Sequence, residues 1–171
     1  MRPCYTHGVE ICGLSDILNF MKVYTLGYQH LSLSEYIDVL RASGVGVILD
    51  VREIAWSRKP GFSKSQLKAS LSDAGINYIH VPSAGNPSSI RKTAKSSKEC
   101  LKAYQEHLRT NDHCIDELLS HIQLALENGR PACLTCFERL PTECHRSILI
   151  EALIGVQPHL DSIHLPIELL E

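Results

Sequence analysis

Short runs of branched and aromatic apolar residues alternate along this 171-residue chain with amphipathic stretches, each closed by glycine or proline. Such an order leaves few architectures open, because a strand that is followed by a helix and then another buried strand builds a parallel sheet with helices on both faces. A single three-layer α/β domain is therefore expected, its mainly parallel sheet of about five strands flanked by helices. The strands read as 22–26 (KVYTL), 45–51 (VGVILDV), 77–81 (NYIHV), 132–137 (ACLTCF) and 162–165 (SIHL). The second run is apolar enough for burial on both faces.

Helices fall between them. Ser32 or Ser34 caps a stretch in which Tyr36, Ile37, Val39 and Leu40 form one apolar face and Gly44 ends it. A second helix runs from Ser63 or Lys64 to Ala74, and others lie near 99–109 and 114–128. Thr142 is expected to cap a further helix that carries Ile148, Leu149, Ile150, Ala152 and Leu153. Residues 83–98 are rich in Ser, Gly, Pro and Lys and read as a mobile loop. Residues 1–20 read as an N-terminal extension with a short helix near 15–20, and 21–171 as the domain.

With 44% hydrophobic and 21% charged residues, disorder of the whole chain is excluded. The chain is long enough to bury a core without staples. Seven cysteines, an odd and scattered set, read as free thiols of a reducing compartment. No apolar run approaches the ~20 residues of a membrane span, and Glu10 and Asp16 interrupt any signal-peptide core. The expected location is the cytoplasm.

Ligands of open parallel sheets bind beyond the carboxyl ends of the strands, and here those ends are polar. They carry Gly27, then Asp50 and Arg52, then His80, then Cys136 and Glu138. Asp50 and Arg52, two apart on one side of a strand end, either pair with each other or address a ligand. Gly27 either admits a substrate to the backbone or makes a turn. Cys144 and His145 fall in the first helical turn after Thr142, where free N–H groups and the dipole favour a thiolate. An adjacent imidazole moves protons, and Arg146 adds a cation suited to phosphate or carboxylate.

Other readings of the same residues remain open. Cys133, Cys136, Cys144 and His145 form a four-ligand zinc set by residue type. Cys133 and Arg139 have the spacing of a phosphatase loop but no glycine between them, and Cys136 with Cys144 is a candidate redox disulfide. Despite a net charge of −2, residues 52–68 and 91–102 are locally basic, and Trp56, Phe62 and Tyr104 lie near them. Such loops suit a phosphate backbone or a stacked base, or are solvated charge.

The series YTLGY at 24–28, LDVR at 49–52, WSR at 56–58, PGF at 60–62, INYIH at 76–80, CFE at 136–138 and CHR at 144–146 resembles the bacterial and archaeal family known as domain of unknown function 488. The resemblance spans about residues 22–165. It implies a single α/β domain and signature positions at Asp50, Arg52, Arg58, Cys136, Glu138, Cys144, His145 and Arg146. It implies no activity, although some members carry a loose DNA-repair label. Tyr28 departs from the family, which more often has His there, and Cys133 is not a signature position.

The expected function is an enzyme whose Cys136, Glu138, Cys144 and His145 do the chemistry while Gly27, Asp50, Arg52, Arg58 and Arg146 bind an anion. The anion is a small molecule or a nucleic acid. No metal or other cofactor is assigned. A non-catalytic nucleic-acid-binding or nucleotide-binding domain, and a small metal-binding protein, are the alternatives.

Overall fold

The computed structural model describes residues 21–165. Five strands and six helices follow one another as β1 Met21–Gly27, α1 Leu33–Ala42, β2 Val47–Asp50, α2 Lys64–Asp73, β3 Asn77–His80, α3 Ser88–Thr93, α4 Ser97–Thr110, α5 His113–Glu127, β4 Ala132–Cys136, α6 His145–Val156 and β5 Leu160–His164. The strands form one sheet in the order β3-β2-β4-β1-β5, and every pairing is parallel. Expected strand positions are met to within two residues at each end. In α1 the signal is local and complete: Ser32 accepts from the Glu35 amide while the Glu35 carboxylate accepts from the Ser32 amide.

Alternation along the strands divides the core. Ile48 and Cys133 face α1 and α2, packing with Tyr36, Leu40, Leu67 and Leu71. Leu49 and Leu134 face the other way, toward Tyr104, Leu118, Ile122 and Leu149 of α4, α5 and α6. Both β2 and β4 are buried throughout, as central strands of a parallel sheet require. In register, Asp50 lies beside Thr135 and Gly27 beside Cys136, so the carboxyl ends of β1, β2 and β4 share one edge.

Two expectations are corrected. Residues 83–98 are not a loop: a 3-10 turn at Pro82–Ala84 leads to α3, and α4 begins at Ser97. Glu53 anchors this segment, accepting from the Ser88 amide at 2.8 Å and the Arg91 guanidinium at 2.9 Å. Gly85 lets the chain lie against the Glu53 backbone, where a Cβ would come within 2.3 Å of the Glu53 N and Cα atoms. Thr142 is not a helix cap: Pro141–Glu143 form a 3-10 turn, and extended Cys144 (φ −120°, ψ 141°) caps α6. The expected helix near 15–20 lies outside the described residues. Among those described, no helix is long and apolar enough to cross a membrane.

Candidate functional site

Asp50 and Arg52 pair with each other. The Asp50 carboxylate accepts from Arg52 Nε at 2.8 Å, Arg52 Nη2 at 2.5 Å, the Arg52 amide at 3.2 Å and the Tyr78 hydroxyl at 2.5 Å. Arg52 Nη1 donates to Tyr28 Oη at 2.7 Å and to the Phe62 carbonyl at 2.9 Å. Tyr28 therefore has a structural place, stacked on Phe62 with ring centroids 4.2 Å apart. Gly27 is not at positive φ and does not line the neighbouring cleft. An added Cβ would sit 1.7 Å from the Glu138 carbonyl oxygen, so the residue is glycine because the turn after β4 lies against it.

That turn and the start of α6 bring four donor-bearing side chains together. Cys136 ends β4, Glu138 follows it, Cys144 caps α6 and His145 opens the helix; one ligand-type atom from each lies within 4.8 Å of all the others. Cys136 Sγ is 3.1 Å from Glu138 Oε2 and 3.7 Å from His145 Nδ1, and Cys144 Sγ is 3.8 Å from the same nitrogen. His145 Nε2 donates to the Val51 carbonyl at 2.7 Å, which leaves Nδ1 facing both sulfurs. Behind them buried Arg146 donates from Nε to Cys144 Sγ at 3.1 Å and from Nη2 to the Glu138 carbonyl at 2.6 Å.

The two thiols differ. Burial opposes ionisation of Cys144, but the hydrogen bond from Cys136 and the positive charges of His145 and Arg146 prevail and hold it well below the ordinary thiol range. Cys136 is pushed well above that range by its hydrogen bond to Cys144, by burial, and by the negative charges of Cys144 and Glu138. Burial and Cys144 raise Glu138; Cys144 also raises His145 against the effect of burial. The surroundings thus favour the thiolate at Cys144 and the protonated forms of Cys136 and Glu138.

Cys133 takes no part. Its side chain is on the other face of β4, and burial pushes its thiol up to about 12. Both the zinc set that includes Cys133 and the Cys133–Arg139 phosphatase loop are thereby excluded. All five described cysteines are free.

A cleft of about 660 Å³ opens beside the cluster. Cys136, Glu138 and His145 line it, together with Arg52, Arg58, Trp56 and Phe137, whereas Cys144, Arg146, Asp50 and Gly27 do not. The two basic runs converge here, Arg58 and Lys59 from one and Arg91 and Lys95 from the other. Arg91 pairs with Glu53, and Lys59 Nζ donates to the carbonyls of Tyr28 and Gln29. Arg58 and Lys95 form no ion pair among the described residues. Sequence reasoning missed Asn86, a lining residue whose buried Oδ1 has no hydrogen-bond donor; one Asn in a Ser/Pro-rich stretch gives no signal.

Fold and site together define a doubly wound, wholly parallel α/β domain with a Cys-Cys-His-Glu cluster at the carboxyl edge of its sheet. The model of a family described as domain of unknown function DUF488 matches residues 32–153, and the chain belongs to that family. The match contains the whole cluster. Comparison with curated proteins and with solved structures finds no match.

Proposed function

We propose that the protein is an enzyme that performs thiol chemistry on an anionic, nucleotide-like or nucleic-acid-like substrate. The observation that carries this reading is the single cleft lined both by Cys136, Glu138 and His145 and by the uncommitted cations Arg58 and Lys95. Cys136 is the sulfur that meets substrate. Its proton passes to Glu138 Oε2 or His145 Nδ1, and the same group returns it to the leaving group. Cys144 and Arg146 act from behind, setting the charge on the sulfur pair. Exposed Trp56 and Phe137 flank the cleft as stacking surfaces for a base, and the unpartnered Asn86 Oδ1 accepts from an N–H of the ligand.

Trp56 is the only tryptophan in the chain, so its fluorescence reports on the cleft. Titrating EDTA-treated protein with a nucleoside monophosphate should quench it, with a midpoint that rises with salt. Iodoacetamide should then modify Cys136 in the folded protein at a rate that climbs with pH, as a raised thiol requires, and bound nucleotide should slow the reaction. Alkylation confined to unfolded protein would remove the nucleophile. Nucleotide binding that survives Cys136→Ala without any thiol reactivity would leave the non-catalytic binding domain.

A further inference from the structure

Four donors of metal-ligating type meet at one point of the sheet edge: two sulfurs, an imidazole nitrogen and a carboxylate oxygen, all within 4.8 Å of one another. For a tetrahedral zinc ion, bonds of about 2.3 Å to sulfur and about 2.0 Å to nitrogen place a sulfur and a nitrogen about 3.5 Å apart. The two sulfur–nitrogen separations here are 3.7 and 3.8 Å. The Cys136 sulfur and the Glu138 oxygen, 3.1 Å apart, need to open by only a few tenths of an ångström.

The surroundings fit a metal as well. His145 donates its other ring nitrogen to the Val51 carbonyl, the contact that fixes a ligating histidine with its lone pair toward the ion. Arg146 donates to Cys144 Sγ, as an outer partner does for a metal thiolate, and its positive charge offsets the excess of anionic ligands over a dication. Three of the four donors line the cleft, which gives an ion its path inward.

We infer that Cys136, Glu138, Cys144 and His145 bind a single zinc ion in a closed, four-ligand site. Each sulfur coordinates as a thiolate, and any proton it carries leaves to the buffer. Zinc and alkylating agents therefore compete for the same sulfurs, and zinc-loaded protein is the resting form of the thiol. This last consequence rests on the proposed thiol chemistry; the binding itself does not.

The test uses the full chain, with Zn²⁺ alone and Co²⁺ as its spectroscopic substitute. The expected result is one ion per chain by native mass spectrometry, a thiolate-to-cobalt charge-transfer band, and the strong visible absorption of tetrahedral cobalt. Cys136→Ser and His145→Ala should each weaken binding by at least about 100-fold, the upper end of what losing an outer partner costs. Cys133→Ala should bind as the parent does. On unmutated protein zinc should slow iodoacetamide by about tenfold or more, comparable to the loss of a supporting contact, so the result does not depend on a variant folding. No thiolate–cobalt band, or a zinc affinity unchanged by Cys136→Ser, overturns the metal site. If the thiols of EDTA-treated protein then remain reactive, the proposed function stands without it. Zinc bound by protein whose freed thiols are inert supports the site and defeats the enzyme reading.

Discussion

Replacing Asp50 by Asn tests whether the Asp50–Arg52 pair is structural or a ligand platform. The carboxylate accepts four donors, two per oxygen. The amide retains one oxygen and turns an NH₂ group toward either Arg52 Nη2 and Tyr78 Oη or Arg52 Nε and its amide. Two donors then lose their acceptor, and a guanidinium whose side chain is only 7% exposed loses its counter-charge. Stranding one member of a buried pair costs about 3–5 kcal/mol, a third or more of the stability of many domains. At a urea slope near 2 kcal/mol per molar, the unfolding midpoint should fall by about 1.5–2.5 M. Asp50→Leu with Arg52→Met should recover most of that loss, because it removes both charges. A single-variant cost below about 1 kcal/mol would falsify the structural reading.

Three further outcomes follow from particular contacts. Gly27→Ala places a Cβ against the Glu138 carbonyl and 2.7 Å from Arg146 Nη2, so it should cost more than about 2 kcal/mol and slow Cys136 alkylation; an unchanged thermal midpoint contradicts the close approach. Cys133 and Cys114 are raised to about 12 and about 11 by burial, so above pH ~9 the unfolded chain releases protons that the folded chain keeps, and stability falls as pH rises. Each thiol adds up to about 1.4 kcal/mol per pH unit to that slope, and Cys133→Val should reduce it in urea melts between pH 8 and about 10.5. Glu53→Gln should speed hydrogen exchange in α3 while changing global stability by less than about 1 kcal/mol, because its pair with Arg91 is half exposed; unchanged exchange would mean that α3 is held otherwise.

The layers were legible because each depends on local pattern: β2 and β4 are apolar on both faces, and Ser32 and Glu35 write the α1 cap within one turn. Polar residues at the strand ends marked the edge of the sheet at which the Cys-Cys-His-Glu cluster and the cleft lie. What escaped was set by distant partners. Residues 83–98 look like a loop until Glu53, over 30 positions away, binds Ser88 and Arg91. Cys133 and Cys136, three apart on a strand, face opposite layers, which side-chain alternation states once the strand is certain. The role of Gly27 depends on a carbonyl more than 100 residues later, and nothing near Gly27 reports it.

The position of β4 between β1 and β2 also orders events during synthesis. The last residue of β2 and the first of β4 are numbers 50 and 132, a difference of 82. At roughly 5–20 residues per second, the ribosome takes about 4–16 s to cover that distance. Throughout that interval β1 and β2 have no central strand to join and present open edges, a stretch in which a chaperone has something to hold. Cys136, Glu138, Cys144 and His145 all emerge with or after β4, so this four-residue cluster first assembles when the central strand joins the sheet, and a nascent chain stalled earlier carries none of it.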